Sequence, residues 1–245
     1  MARADHAAWH GHCCCLRRLY LPSGTPSENG SVIMKASESS FSTHPPGVVL
    51  AGGLSRRMGQ SKHTVLLAGR PMLDHVIEQL APQVSAVAIN YNGTPPRADL
   101  PCFADTLKDF PGPLAGIAAA MQFARTISKK THVLTVPVDT PFVPMDLLAR
   151  LLSACAAPDT VVLARSRDCT HPVIGLWPVH LDAHITEWLT APKNRKLMVF
   201  LQSLNVVEVE YPDIQTAIGP LDPFFNVNTP DDLILANRYL RALEP

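Results

Sequence analysis

The chain has 245 residues, 47% of them hydrophobic, and its 21 Lys and Arg balance 21 Asp and Glu. This length sustains one sizeable α/β core without disulfides, and a formal charge of zero argues against a general nucleic-acid binder or membrane-surface protein. No apolar run approaches the roughly 20 residues of a membrane span, no signal-peptide pattern opens the chain, and the cysteines at 13, 14, 15, 102, 155 and 169 follow no disulfide framework.

Reduced thiols and a cytoplasmic location are therefore expected; metal binding by Cys13, Cys14 and Cys15 with His10 and His12 is the weaker alternative. Residues 1–45 lack hydrophobic periodicity and are rich in Ser, Pro, Gly and His, so a disordered extension is expected ahead of one domain over 46–245. From Gly47 onward strands alternate with helices. Val48 to Leu50 reads as a short buried strand entering Ala51-Gly52-Gly53, and apolar positions at 72, 73, 76, 77 and 80 have helical spacing. A strand is expected over Val84 to Ile89, then a helix opening at Pro113 with Leu114, Ile117, Met121 and Ala124 on one face.

The segment His132 to Val138 reads as a buried strand ending at Asp139, followed by a helix carrying Leu147, Leu148, Leu151 and Leu152. Strands are expected over Val161 to Ala164 and Pro172 to Trp177. Two helical stripes come next, at Leu181, Ile185, Trp188 and Leu189 and at Leu197, Phe200, Leu201 and Leu204. A strand over Val206 to Val209 precedes the last helix, which Thr229 caps and Pro230 opens. This alternation predicts a three-layer α/β/α fold, Rossmann-like, with a mostly parallel central sheet.

The chemistry concentrates where the first strand ends, at Leu50-Ala51-Gly52-Gly53-Leu54-Ser55-Arg56-Arg57-Met58-Gly59-Gln60-Ser61-Lys62. Glycines let backbone N–H groups approach phosphate oxygens, and Arg57 and Lys62 add positive charge where a triphosphate would sit. A tight turn with solvated basic residues is the plain alternative. The spacing is neither Walker A nor Gly-x-Gly-x-x-Gly, which disfavours a dinucleotide-dependent oxidoreductase. Asp139 ends a predicted central strand, where open α/β sheets place ligands; it either serves such a site or, with Thr140, caps the next helix. Asn90 and Asp105 end shorter apolar stretches and also read as turn residues. Gly112-Pro113 is an ordinary helix start that also points an N-terminus at any anion nearby.

The loop resembles the Leu-Ala-Gly-Gly-x-Ser-x-Arg-Met-Gly signature of the nucleotidyltransferase superfamily, and Ala68-Gly69-Arg70-Pro71-Met72-Leu73 is similar to the segment that follows it. Asp109-Phe110-Pro111-Gly112-Pro113-Leu114-Ala115-Gly116, Pro137-Val138-Asp139-Thr140-Pro141 and Phe225-Asn226-Val227-Asn228-Thr229-Pro230 resemble the molybdenum cofactor guanylyltransferase family, as does His171-Pro172 before a strand. The resemblance runs in order from about Gly47 to Leu240. It implies transfer of GMP from GTP to molybdopterin with release of pyrophosphate.

By the same resemblance, Leu50, Ala51, Gly52, Gly53, Lys62, Asn90, Asp105 and Asp139 contact the nucleotide, and Asp139 holds Mg²⁺. Arg57, Lys62 and Asp139 are the expected catalytic set. Gly112, Pro113, Asn226 and Asn228 face the molybdopterin, and transient contact with cofactor-inserting proteins and molybdoenzymes is expected. One departure stands out: Ser61 occupies a position where the family carries Asp. A CTP-using cytidylyltransferase and a non-catalytic cofactor-delivery protein are the alternative readings.

Overall fold

The computed structural model describes residues 43–52, 62–107, 112–191 and 196–243. Residues 1–42 of the expected extension, and the loop residues Gly53, Arg57 and Ser61, lie outside them, as does the side chain of Lys62.

Strand β1 (Gly47–Leu50) is followed by a two-residue ladder, β2 (Leu66–Leu67) with β3 (Arg70–Pro71), and by helix α1 (Met72–Leu80). Then come β4 (Val87–Asn90), β5 (Cys102–Phe103), α2 (Pro113–Ile127) and β6 (His132–Pro137). The second half runs α3 (Leu147–Ala154), β7 (Val161–Ser166), β8 (Cys169–Pro178), α4 (Asp182–Thr190), α5 (Leu197–Leu201) and β9 (Val206–Glu210). It closes with β10 (Ile214–Thr216), β11 (Gly219–Leu221) and α6 (Pro230–Leu243).

The main sheet has seven strands in the order β5-β4-β1-β6-β8-β7-β9. Neighbours pair in parallel except β8, which runs against both β6 and β7. Strand side chains alternate between faces. In β1, Val49 joins Leu73, Val76 and Leu80 of α1 and Leu147 and Leu151 of α3 on one face. Val48 and Leu50 join Leu114, Ile117 and Met121 of α2, with Ile185 of α4 and Phe200 of α5, on the other. Both faces are thus covered, as parallel strands require. The expected three-layer α/β/α architecture is what the chain adopts. Among the described residues no helix is long and apolar enough to cross a membrane.

Two local expectations change. The strand expected from Val84 starts only at Val87, because Ala81–Gln83 forms a 3₁₀ turn with Pro82 in its first positions. Val84 stays buried without joining the ladder. Asp139 is not a helix cap: α3 begins at Leu147 after Asp146, and Thr140 turns back to donate its hydroxyl to the Pro137 carbonyl at 2.9 Å.

The start of α3 has no side-chain cap from its own segment. Gln83 supplies one from afar: its Oε1 accepts the Leu148 N–H at 2.9 Å, while its Nε2 donates to the carbonyls of Gln79 at 2.8 Å and Pro144 at 2.9 Å. Helix starts leave N–H groups without intrahelical partners, and a buried one left unpaired is costly. We therefore expect Gln83→Leu to destabilise the fold by about 2–4 kcal/mol. In urea unfolding this is a lower midpoint at an unchanged slope; an unmoved midpoint would reject the assignment.

Candidate active site

The chain leaves β1 through α1 to reach β4 on one side, and returns through α2 to β6 on the other. Beside β1 the connections therefore diverge, and the crevice outside the carboxyl ends of such strands is where open α/β sheets bind ligands. In register, Leu50 sits beside Asn90 on one side and Pro137 on the other, and Asn90 sits beside Phe103. The sequence-predicted residues Leu50, Ala51, Asn90, Asp105 and Asp139 are thereby brought to one edge. Ala51 N–H bonds the Asn90 carbonyl at 2.9 Å, and Val138 N–H bonds the Leu50 carbonyl at 3.1 Å, extending the ladder past the strand ends. Gly52 is exposed, and no described residue stands within 4 Å of where its side chain would be.

Asn90 is a built side chain rather than a turn asparagine. It is 3% exposed, and its Nδ2 donates to Asp105 Oδ1 at 3.0 Å and to the Phe103 carbonyl at 3.4 Å. Asn92 completes the clamp: its Nδ2 donates to Asp105 Oδ2 at 2.8 Å and its Oδ1 accepts the Asp105 N–H at 2.7 Å. Both asparagine amides thus fix one carboxylate at the end of β5. The role of Asn92 escaped the sequence reading, because Asn92-Gly93 looks like turn chemistry.

Gly116 escaped it too. It lies in the first turn of α2, where a Cβ would meet Asn90 Oδ1 at 2.7 Å. The helix approaches the strand end this closely only because that position carries no side chain. The N-terminus of α2 lies at the same edge, with Gly112 as its cap at φ 125° and Pro113 as its first residue. Only glycine tolerates that φ readily.

The third component comes from the far end of the chain. Val227 N–H donates to the Asp139 carbonyl at 2.9 Å. This bond sets Asn226 and Asn228 on either side of a contact with Asp139, two residues past β6. Asn228 is held in turn by its own N–H to Asp232 Oδ2 at 3.0 Å, which also accepts the Thr229 N–H at 2.8 Å. Thr229 Oγ1 accepts the Asp232 N–H at 3.2 Å, so Thr229 and Asp232 form a reciprocal cap on α6.

His63, one residue after Lys62, is buried and packs edge-on against Tyr91 with ring centroids 4.5 Å apart. Burial lowers the pKa of its imidazole below the usual value, so the ring is a neutral brace between the loop exit and the end of β4. The backbone of Lys62 itself opens a 3₁₀ turn, Lys62–Thr64.

Among the described residues, no three His, Cys, Asp or Glu side chains gather in a way that could hold a metal ion. The carboxyl edge instead offers the single carboxylate of Asp139, both oxygens of Asp105 already accepting from Asn90 and Asn92. Mg²⁺ commonly takes one or two carboxylates and fills its remaining positions with water and substrate phosphate oxygens. This donor set fits such a substrate-completed ion and does not fit a closed structural cage.

A family model described as "MobA-like NTP transferase domain" matches residues 47–207. A protein from Rhizobium meliloti (strain 1021) named molybdenum cofactor guanylyltransferase is 47% identical over 211 residues, 84% of this chain and 96% of that protein. One of the same name from Bradyrhizobium sp. (strain ORS 278) is 43% identical over 212 residues, 84% of this chain and 97% of its own length. Among solved structures, molybdopterin-guanine dinucleotide biosynthesis protein A from Archaeoglobus fulgidus aligns with a TM-score of 0.63 at 24% identity, over 80% of this chain and 98% of that one. The 2-C-methyl-D-erythritol 4-phosphate cytidylyltransferase from Thermus thermophilus aligns with a TM-score of 0.54 at 18% identity, over 81% and 98%. At these identities the two structures speak for the fold alone.

Proposed function

The chain belongs to the molybdenum cofactor guanylyltransferase family, with its MobA-like NTP transferase domain, and from that premise we propose that it transfers GMP from GTP to molybdopterin. The observation that carries the reading is the convergence at Asp139. On one side stand the strand ends with Leu50, Asn90 and Asp105; on the other, through the Val227 bond, stand Asn226 and Asn228.

In this reading Gly52 and Gly53 take the triphosphate on backbone N–H groups, while Ala51, whose own N–H is committed to the Asn90 carbonyl, lines the nucleotide side. Asn90 and Asp105 orient the nucleoside. Arg57 and Lys62 neutralise the phosphates. Asp139 holds Mg²⁺, which when bound supplies charge stabilisation to the phosphate oxygens. Asn226 and Asn228, with the α2 N-terminus at Gly112 and Pro113, hold the molybdopterin.

A terminal phosphate oxygen of molybdopterin attacks the α-phosphorus of GTP. One P–O bond forms, the α–β P–O bond breaks, and pyrophosphate leaves with its electron pair. No side-chain nucleophile enters; positioning and charge stabilisation carry the rate. Transient contact with cofactor-inserting proteins and molybdoenzymes follows from the product, which must be handed on.

The test is pyrophosphate release by the purified protein with Mg²⁺, molybdopterin and GTP, CTP, ATP or UTP in parallel. Release with GTP alone is expected. Release with CTP would move the base assignment to a cytidylyltransferase, and silence despite GTP binding would favour a delivery protein.

A further inference from the structure

The strip carrying Asn226 and Asn228 is anchored by side chains that the transfer reaction leaves unused. Ser166 closes β7 with no exposed surface. Its Oγ lies 2.7 Å from His171 Nε2 and 2.7 Å from Asp222 Oδ1. A carboxylate only accepts, so the hydroxyl hydrogen goes to Asp222 and the oxygen accepts from His171 Nε2–H. This fixes the tautomer of the imidazole. Serine is the middle link here, whereas a nucleophilic triad has histidine in the middle. The set is therefore not a nucleophile.

The constraint passes on along the chain. Asp222 Oδ1 also accepts the Phe224 N–H at 2.8 Å, and the Asp222 carbonyl accepts the Phe225 N–H at 3.0 Å, which winds the segment into a turn. The Phe224 ring packs against His171 at 4.9 Å and Tyr211 at 5.1 Å. Asn226 follows, and then Val227 with its bond to Asp139. Burial lowers the pKa of the His171 imidazole, against the opposing charges of Asp222 and Glu210, which agrees with a neutral ring donating through Nε2.

The turn between β7 and β8 ties the same region from outside. Arg167 and Asp168 hold φ of 46° and 60°, values that side-chain-bearing residues adopt at a cost. Arg167 offsets that cost by donating Nε and Nη2 to Asp213, at 2.8 and 2.9 Å, and Nη2 also to the Pro220 carbonyl at 3.1 Å. Asp213 and Pro220 belong to the β10–β11 ribbon and its approach, which delivers Asp222.

We propose that His171, Ser166 and Asp222, braced by Arg167, form a clamp that sets the 222–228 strip against Asp139, so that Ser166 and His171 are positioning residues for the acceptor half of the site. The inference rests on the reading of Asn226 as an acceptor contact. The pattern was half-visible in the sequence as His171-Pro172, but its partners lie on other segments.

The experiment measures KM separately for GTP and molybdopterin, with thermal midpoints, in Ser166→Ala, His171→Leu, His171→Gln, Arg167→Ala and Asn226→Ala. Ser166→Ala removes one oxygen and leaves His171 and Asp222 without their link. It and His171→Leu are expected to raise the molybdopterin KM roughly tenfold, with the GTP KM within about twofold. His171→Gln keeps a side-chain N–H donor and should recover most of the loss. The exposed Arg167→Ala, which does not threaten the core, should raise the same KM roughly threefold.

Equal movement of both KM values, or of neither, overturns the clamp and leaves a stability role only. If Asn226→Ala raises the molybdopterin KM while Ser166→Ala does not, the clamp alone is wrong. If Ser166→Ala raises it while Asn226→Ala does not, the clamp stands and the contact assigned to Asn226 is wrong.

Discussion

Asp139→Ala is expected to lower kcat for GMP transfer by at least about a thousandfold while the protein stays folded and still binds GTP. Removing one preorganised group that stabilises developing charge typically costs ~10²–10³ in rate, and loss of a metal ligand adds misplacement of the phosphates. The contact between Asp139 and the 226–228 segment should survive because it runs through the backbone. The Asp139 carbonyl accepts the Val227 N–H, and that bond is independent of the side chain. Asp139→Asn is the sharper variant: the shape is kept, and the amide oxygen lacks the negative charge with which carboxylates bind Mg²⁺. Pyrophosphate release at saturating GTP and molybdopterin, with circular dichroism as the folding control, decides the matter. A variant retaining a tenth or more of the kcat would remove Asp139 from the chemistry and leave it as a strand-end residue.

The fold was legible because its signals are local. The hydrophobic runs of β1, β6, β7 and β8 and the stripes of α1, α2 and α4 are each written within one short window. The pieces that escaped are too short to carry a period: the ladder of Leu66–Leu67 with Arg70–Pro71, the strand Cys102–Phe103 and the ribbon of Ile214–Thr216 with Gly219–Leu221. The site divides in the same way. Asp139 could be singled out because it follows a long buried strand, and the loop because glycine and basic residues cluster there. Two readings of Asp139 stayed open in the sequence, and it is the start of α3 at Leu147 that excludes the cap.

What could not be read is pairing between segments. Asn90 and Asn92 meet Asp105 across a parallel ladder, and Ser166 at the end of β7 meets Asp222 just after β11. Neither contact leaves a trace in spacing, since each depends on where the sheet brings two distant strand ends. The assignments on Gly53, Arg57 and Lys62 remain proposals from sequence: Gly53 and Arg57 fall outside the described residues, and Lys62 is described in its backbone alone.

Gly116 supplies the most discriminating variant, because two physical effects predict opposite outcomes for it. Replacing a helical glycine by alanine ordinarily stabilises a helix by about 0.5–1 kcal/mol, through reduced freedom of the unfolded chain. At this position, however, the new Cβ would stand 2.7 Å from Asn90 Oδ1 and 3.5 Å from Leu50 Cδ2. Asn90 cannot simply swing aside. It is buried, and its Nδ2 is committed to Asp105, which Asn92 holds in turn. The displacement should therefore reach the carboxylate at the end of β5.

Gly116→Ala is accordingly expected to change stability by less than about 1 kcal/mol in either direction, yet to raise the GTP KM roughly tenfold, since sub-ångström misplacement at a binding group is that costly. The double-variant cycle isolates the cause. If the methyl acts through Asn90, then Gly116→Ala added to Asn90→Ala should bring no further loss, because the group it displaces is already gone. Additive losses would show that Gly116 acts elsewhere, on the α2 N-terminus or on Leu50. An unchanged GTP KM in the single variant would mean that Asn90 yields freely, and that the strand end is softer than its hydrogen bonds imply.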